Sequence, residues 1–108
     1  MTIDEMQLKV DEWIKEHGVR YFNELTNTAL LMEEVGELAR HMARKYGEQS
    51  YKEGENDSGL SKEIGDVLFV LTCLANQCGV NLEKVLVENL AFKAKRDHSR
   101  HNNNPKLK

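Results

Sequence analysis

Proline is almost missing from this chain: the one proline, Pro105, stands in the C-terminal stretch. Nothing before it therefore suffers the kink or break that proline imposes on a helix. Long hydrophobic runs are missing too, and the longest apolar stretch is far too short to span a bilayer. The first residues form no apolar signal region. The expectation is a cytoplasmic protein with no membrane partner. Only two cysteines occur, Cys73 and Cys78, both in an apolar run and pointing to different sides of a helix. They imply no disulfide framework and are expected as two buried thiols. A strong positive charge is also lacking: the net charge is −3, which argues against a nucleic-acid partner. Nucleotides remain open, because a metal ion can supply the positive charge.

What is present suits one globular domain, with 40% hydrophobic and 31% charged residues over 108 positions. A chain of this size buries only ~60–70% of its unfolded surface, so a second subunit is expected to help. The seven glycines fall mostly between periodic segments, as in helices joined by loops. The spacing of apolar residues predicts a helix from about Ile3 to His17, with Thr2 and Glu5 in the form of a capping box and Gly18 as its stop. After a connector, Thr26, Asn27 or Thr28 caps a second helix. It runs to about Tyr46, with an apolar stripe of Leu31, Val35, Leu38, Met42 and Tyr46. The stretch 47–59 is polar, has three glycines and reads as a loop.

A third helix is expected to start between Ser58 and Ser61 and reach Cys78, where Gly79 ends it. Its middle, Val67 to Ala75, is apolar apart from Thr72, which predicts burial all round. Asn81 caps a fourth helix that reaches about Arg100. Residues 1–101 therefore form a single all-α domain of four to five helices, followed by a flexible tail, 102–108.

The chemistry lies in two acidic groups, Glu33-Glu34-Val35-Gly36-Glu37 and Glu63-Ile64-Gly65-Asp66. Residues three apart on a helix lie on the same face, so Glu34 pairs with Glu37 and Glu63 with Asp66. Glu34 falls between Leu30, Leu31 and Leu38, at the margin of the apolar stripe. The Glu63–Asp66 line continues into Val67, Val70, Cys73 and Leu74. These acids thus extend buried faces, where a carboxylate is costly unless paired or bound to a metal. Two carboxylates ~5 Å apart repel by about 3 kcal/mol at an effective dielectric near 20. Hard oxygen ligands in this number suit Mg²⁺, with Mn²⁺ as a substitute. A plainer alternative stands beside this reading: acids near a helix N-terminus are favoured by its dipole, and Glu33, Glu34 and Glu37 can pair with Arg40, His41 or Arg44. Gly36 and Gly65 tilt the balance toward a site, because a glycine inside a helix costs ~1 kcal/mol relative to alanine.

At these residues the chain resembles the MazG family of nucleoside triphosphate pyrophosphohydrolases. The family pattern, EExxE followed after a loop by ExxD, reads here as Glu33, Glu34, Glu37, then Glu63 and Asp66, in the contexts EEVGELAR and EIGDVLFVLTCLAN. The short single-domain members of the family are the most similar. The resemblance implies a MazG-like helical bundle that assembles as a homodimer or a dimer of dimers. It also implies Mg²⁺ held by Glu34, Glu37, Glu63 and Asp66, with Glu33 as the acid that accepts a proton from water. The implied reaction splits a (d)NTP into (d)NMP and pyrophosphate by attack of water at the α-phosphorus, a role in clearing the nucleotide pool. Basic and amide groups of the fourth helix, Asn89, Lys93 and Arg96, resemble the groups that approach phosphates in relatives, and Lys52 and Lys62 are further candidates.

Tyr21 and Phe22, in the connector, are candidate walls for a base, whereas Trp13 and Tyr46 lie on apolar stripes and are expected in the core. His17 and His41 have no partner at metal-ligand spacing and are not expected as ligands. Narrower relatives, the dimeric dUTPases and phosphoribosyl-ATP pyrophosphohydrolase, share the acidic arrangement. A carboxylate-bridged di-iron bundle would need a Glu-x-x-His pair, which the third helix lacks. A non-catalytic dimerisation module would keep the apolar pattern without needing the acids.

Overall fold

The computed structural model spans residues 1–108 and describes all of them except the side chain of Asp57. Four α-helices carry the chain: α1 (Ile3–Trp13), α2 (Glu24–Tyr46), α3 (Leu60–Gln77) and α4 (Leu82–Asp97). There is no strand among the described residues, so the fold is all-α as the sequence predicts.

Local chemistry sets most of the boundaries. Thr2 Oγ1 accepts from the Glu5 amide at 3.1 Å and starts α1. The helical path continues past Trp13 as a π-turn, Ile14–Gly18. Gly18 does not make the reversal itself. Val19 does, at φ 68° and ψ −59°, and the Arg20 amide donates to the Gly18 carbonyl at 2.8 Å. This is a γ-turn of the rarer, strained hand. The cap of α2 is Asn23, whose Oδ1 accepts from the Thr26 amide at 2.8 Å. Thr26, Asn27 and Thr28 are thus inside the helix. Gly79 at φ 68° ends α3: Val80 N–H donates to the Ala75 carbonyl at 2.8 Å and Gly79 N–H to Asn76 at 3.3 Å. That paired closure needs a left-handed residue, and glycine takes it without a Cβ penalty. Asn81 Oδ1 then accepts from the Lys84 amide at 2.8 Å and opens α4.

Helices α2 and α3 form an antiparallel hairpin across the 47–59 loop. Its register is visible in its contacts, with Asn27 against Gln77 at one end and His41 against Glu63 at the other. Helix α1 packs on α3 and on α4. A polar latch ties the three together. Gln7 donates to Asn76 Oδ1 at 3.0 Å and accepts from the Leu82 amide at 2.8 Å, while Asn76 donates to Tyr21 Oη at 3.0 Å. Helix α4 then leaves α3 at an angle of 103°.

The core differs from the sequence expectation. The buried apolar side chains are Ile14, Val70, Cys73 and Ala75. Helix α3 is covered on one side only, since Ile64, Leu68 and Leu71 form an exposed line along the other. Of the expected α2 stripe, Val35, Met42 and Tyr46 are exposed. The face of α2 turned to α3 keeps Leu38 of that stripe and adds Asn27, Leu30, Glu34 and His41. Trp13 is half exposed, edge-on to Phe69 at 5.4 Å, and Tyr46 is open to solvent. Cys73 is buried as expected, but Cys78, at the end of α3, is exposed. The reason is common to all of these: one chain supplies only one layer of cover. The radius of gyration is 17.5 Å, against about 13 Å for a compact chain of this length.

Candidate metal centre

The hairpin brings the two acidic groups face to face. Glu34 on α2 and Glu63 and Asp66 on α3 each offer an oxygen within 4.8 Å of the others. All three are partly buried. The register explains the meeting, because Glu34 lies seven residues after Asn27 on one line of α2, and Glu63 and Asp66 lie where α3 runs back past it.

The electrostatics carry the mark of this crowding. Burial pushes the Glu34 carboxyl above its ordinary range, and the charges of Asp66, Glu63 and Glu33 push the same way. Lys62 opposes them, with its Nζ 2.7 Å from Asp66 Oδ2. Asp66 in turn raises the Lys62 amine. Hard oxygen donors that repel one another at this distance fit a small divalent cation.

Glu37 and Glu33 are not drawn into the cluster and are exposed on α2. Glu37 lies one turn closer to Arg40, whose guanidinium it helps keep charged. The plainer pairing of these acids with arginine is not what α2 adopts. Arg40 turns to Glu55 of the 47–59 loop, which also accepts from the Lys52 amide at 2.9 Å.

His41 was not legible as part of the site, yet its Nε2 lies 3.9 Å from Glu63 Oε1 and its side chain is buried. One signal was available: His41 follows Glu34 by seven residues, which returns it to the same face.

Tyr21 and Phe22 do line a cavity. It has a volume of about 300 Å³ and is walled also by Trp13, Leu30, Phe69 and Val70. Leu30 and Phe69 are each about one turn from Glu34 and Asp66, so the cavity adjoins the acidic cluster. The Tyr21 hydroxyl is engaged by other residues. It donates to Asp11 Oδ1 at 2.7 Å, and burial together with that bond pushes its pKa up to about 12.

The basic groups of α4 stand apart. Arg96 is held by Asp97 at 2.8 Å and lies over the Phe92 ring at 5.4 Å. Asn89 and Lys93 are exposed. No hydrogen bond or ion pair joins these three to the cluster among the described residues.

Comparison with known proteins identifies the family. The family model of the MazG nucleotide pyrophosphohydrolase domain matches residues 22–101. YpjD of Bacillus subtilis is 46% identical over 83 residues, which is 77% of this chain and 75% of YpjD. YvdC of the same organism is 35% identical over 92 residues, covering 75% of this chain and 87% of YvdC. The crystal structure of Bacillus subtilis YpjD superposes with a TM-score of 0.76 at 42% identity, over 84% of this chain and 93% of that one. The crystal structure of a Bacillus-conserved MazG protein, a nucleotide pyrophosphohydrolase, superposes at 0.68 with 36% identity, over 86% and 87% of the two chains. This chain belongs to the MazG nucleotide pyrophosphohydrolase family, the helical hydrolases that act on nucleotides.

Proposed function

We propose that the protein hydrolyses nucleoside triphosphates to the monophosphate and pyrophosphate with Mg²⁺, and that Mn²⁺ can replace it. The observation that carries this reading is the meeting of Glu34, Glu63 and Asp66 within 4.8 Å on the helices that carry the family pattern. These three residues would hold the metal, with Glu37 on the adjacent turn as the fourth ligand. When bound, the metal supplies charge neutralisation at the phosphate oxygens and lowers the pKa of water. Glu33, exposed beside Glu34, is the group suited to accept the proton of the attacking water. Lys62 is free to exchange its bond to Asp66 for a phosphate oxygen. The rings of Tyr21 and Phe22 would take the base in the adjoining cavity. A cytoplasmic setting, where nucleoside triphosphates are made and spent, suits this chemistry.

The assembly is part of the proposal. A compact monomer of 12.4 kDa exposes roughly 6,100 Å², whereas this chain exposes 8350 Å². The excess is of the size buried in obligate interfaces. It coincides with the exposed lines on α2, α3 and α4, which supports a homodimer or a dimer of dimers. Asn89, Lys93 and Arg96 would reach the phosphates if α4 of a partner crosses the site.

The test is a pyrophosphate-release screen over ordinary and modified nucleotides with Mg²⁺ and Mn²⁺, run in ¹⁸O-labelled water. Equimolar monophosphate and pyrophosphate are expected, with the label in the monophosphate. Release of orthophosphate, or label in the pyrophosphate, would overturn the proposed bond cleavage. Turnover of dUTP alone would favour the narrower dUTPase reading. No turnover, and no melting shift with metal plus nucleotide, would favour a bare helical dimerisation module.

A further inference from the structure

His41 occupies an unusual position for a residue to which the proposed chemistry gives no role. It stands two helical turns beyond Glu34 on the same line of α2, and it is 8% exposed. Three groups confine its ring. The Tyr51 ring lies 5.8 Å away between centroids, and Tyr51 Oη donates to the His41 carbonyl at 3.4 Å. Gly59, just before α3, leaves the space the imidazole fills: a Cβ there would come within 2.9 Å of His41 Cε1 and 3.2 Å of Nε2. On the remaining side, Nε2 faces Glu63 Oε1 at 3.9 Å.

The two ring nitrogens are not equivalent. Nδ1 is buried and has no hydrogen-bond partner. Burying a donor without an acceptor is costly, so the neutral ring carries its proton on Nε2, the nitrogen that faces Glu63. A carboxylate that gives one oxygen to a metal keeps lone pairs on the other. Outer-shell donors to such ligands set their orientation and affinity.

We propose that His41 is a positioning residue of the metal centre. Its Nε2 faces Glu63 at 3.9 Å, longer than a hydrogen bond, and its N–H orients that carboxylate by closing on it when a metal binds, while Tyr51 and Gly59 fix the imidazole. This inference rests on the metal-dependent reading above.

The test measures Mn²⁺ binding to the full chain in its native assembly, without nucleotide, from the EPR signal of the free ion. Melting in EDTA records whether each variant is folded. His41→Phe, which keeps bulk and loses the donor, is expected to weaken Mn²⁺ about 10- to 100-fold. His41→Gln, which restores an N–H donor, is expected within a few-fold of the wild type. Gly59→Ala keeps every ligand and the histidine itself but displaces the imidazole ring, and is expected to weaken binding as well. If Glu63→Gln loses Mn²⁺ while His41→Phe and Gly59→Ala bind like the wild type, the positioning role is wrong and the metal site stands. A Gln variant as weak as the Phe variant also overturns the role. If Glu34→Gln and Glu63→Gln bind Mn²⁺ unchanged, the metal reading fails and takes this inference with it.

Discussion

Lys62 Nζ lies 2.7 Å from Asp66 Oδ2, one turn apart on α3, so an ammonium group already occupies one of the carboxylates that face Glu34. A cation that binds there competes with Lys62. Lys62→Ala is expected to tighten Mn²⁺ binding to the nucleotide-free protein by about two- to five-fold at low salt, the scale of an exposed ion pair. High salt should shrink the difference. Calorimetric titration measures both, and equal affinities at low salt would remove Lys62 from the competition.

Glu34 gives the metal-free protein a pH dependence of definite sign. Its folded-state pKa is raised, chiefly by burial, so the folded state holds this proton more tightly than the unfolded state does. Its stabilising contribution is full below the unfolded carboxylate pKa and is lost as pH rises through the folded value. Glu34→Gln should therefore melt higher than the wild type in EDTA at neutral pH, with the gap closing in acid. The same variant should lose turnover by about 100-fold or more, beyond what loss of an outer-shell partner costs. Unchanged turnover would remove Glu34 from the metal centre.

The exposed line Ile64, Leu68 and Leu71 tests the assembly. Leu68→Asp puts a charge at its centre, where an interface would have to desolvate it. Sedimentation should show a smaller species, and the melting temperature should fall by several degrees and depend on protein concentration. A variant of unchanged mass and stability would assign that face to solvent.

Val19 holds a backbone conformation that β-branched residues avoid. It is 87% exposed, so its side chain contributes little packing in return. Val19→Gly is expected to stabilise the fold by about 1 kcal/mol, at the lower end of the strain such conformations store, because glycine itself adds unfolded-state entropy. Thermal melting of the two proteins compares them directly.

Local chemistry made much of this readable in advance. Thr2, Gly79 and Asn81 act through atoms within a few residues of themselves, and each does what its neighbourhood implies. Asn23 was hidden by three later residues of the same capping kind. The azimuth of Glu34, Glu63 and Asp66 was also readable, since helical spacing fixes it. Depth was not: Glu37 shares the face of Glu34 but stays exposed, and only the crossing of α2 by α3 decides that. His41 needed still more, because Gly59 and Tyr51 reach it through a loop whose path has no periodic signal. The apolar stripes of α2 and α3 were visible as stripes. Spacing cannot say whether the chain itself or a partner covers them.

The 103° departure of α4 from α3 bears on how this protein tolerates change. Along α4 every residue but Leu82 and Asp97 is exposed. In a lone globule such a helix would accept almost any polar substitution. Here Val85, Leu86 and Leu90 are exposed along one stripe of α4. In an assembly that covers this stripe, they would be as intolerant as core positions. A saturation survey would then read the outside of this chain as an inside, and the sensitive positions would trace the neighbour's footprint.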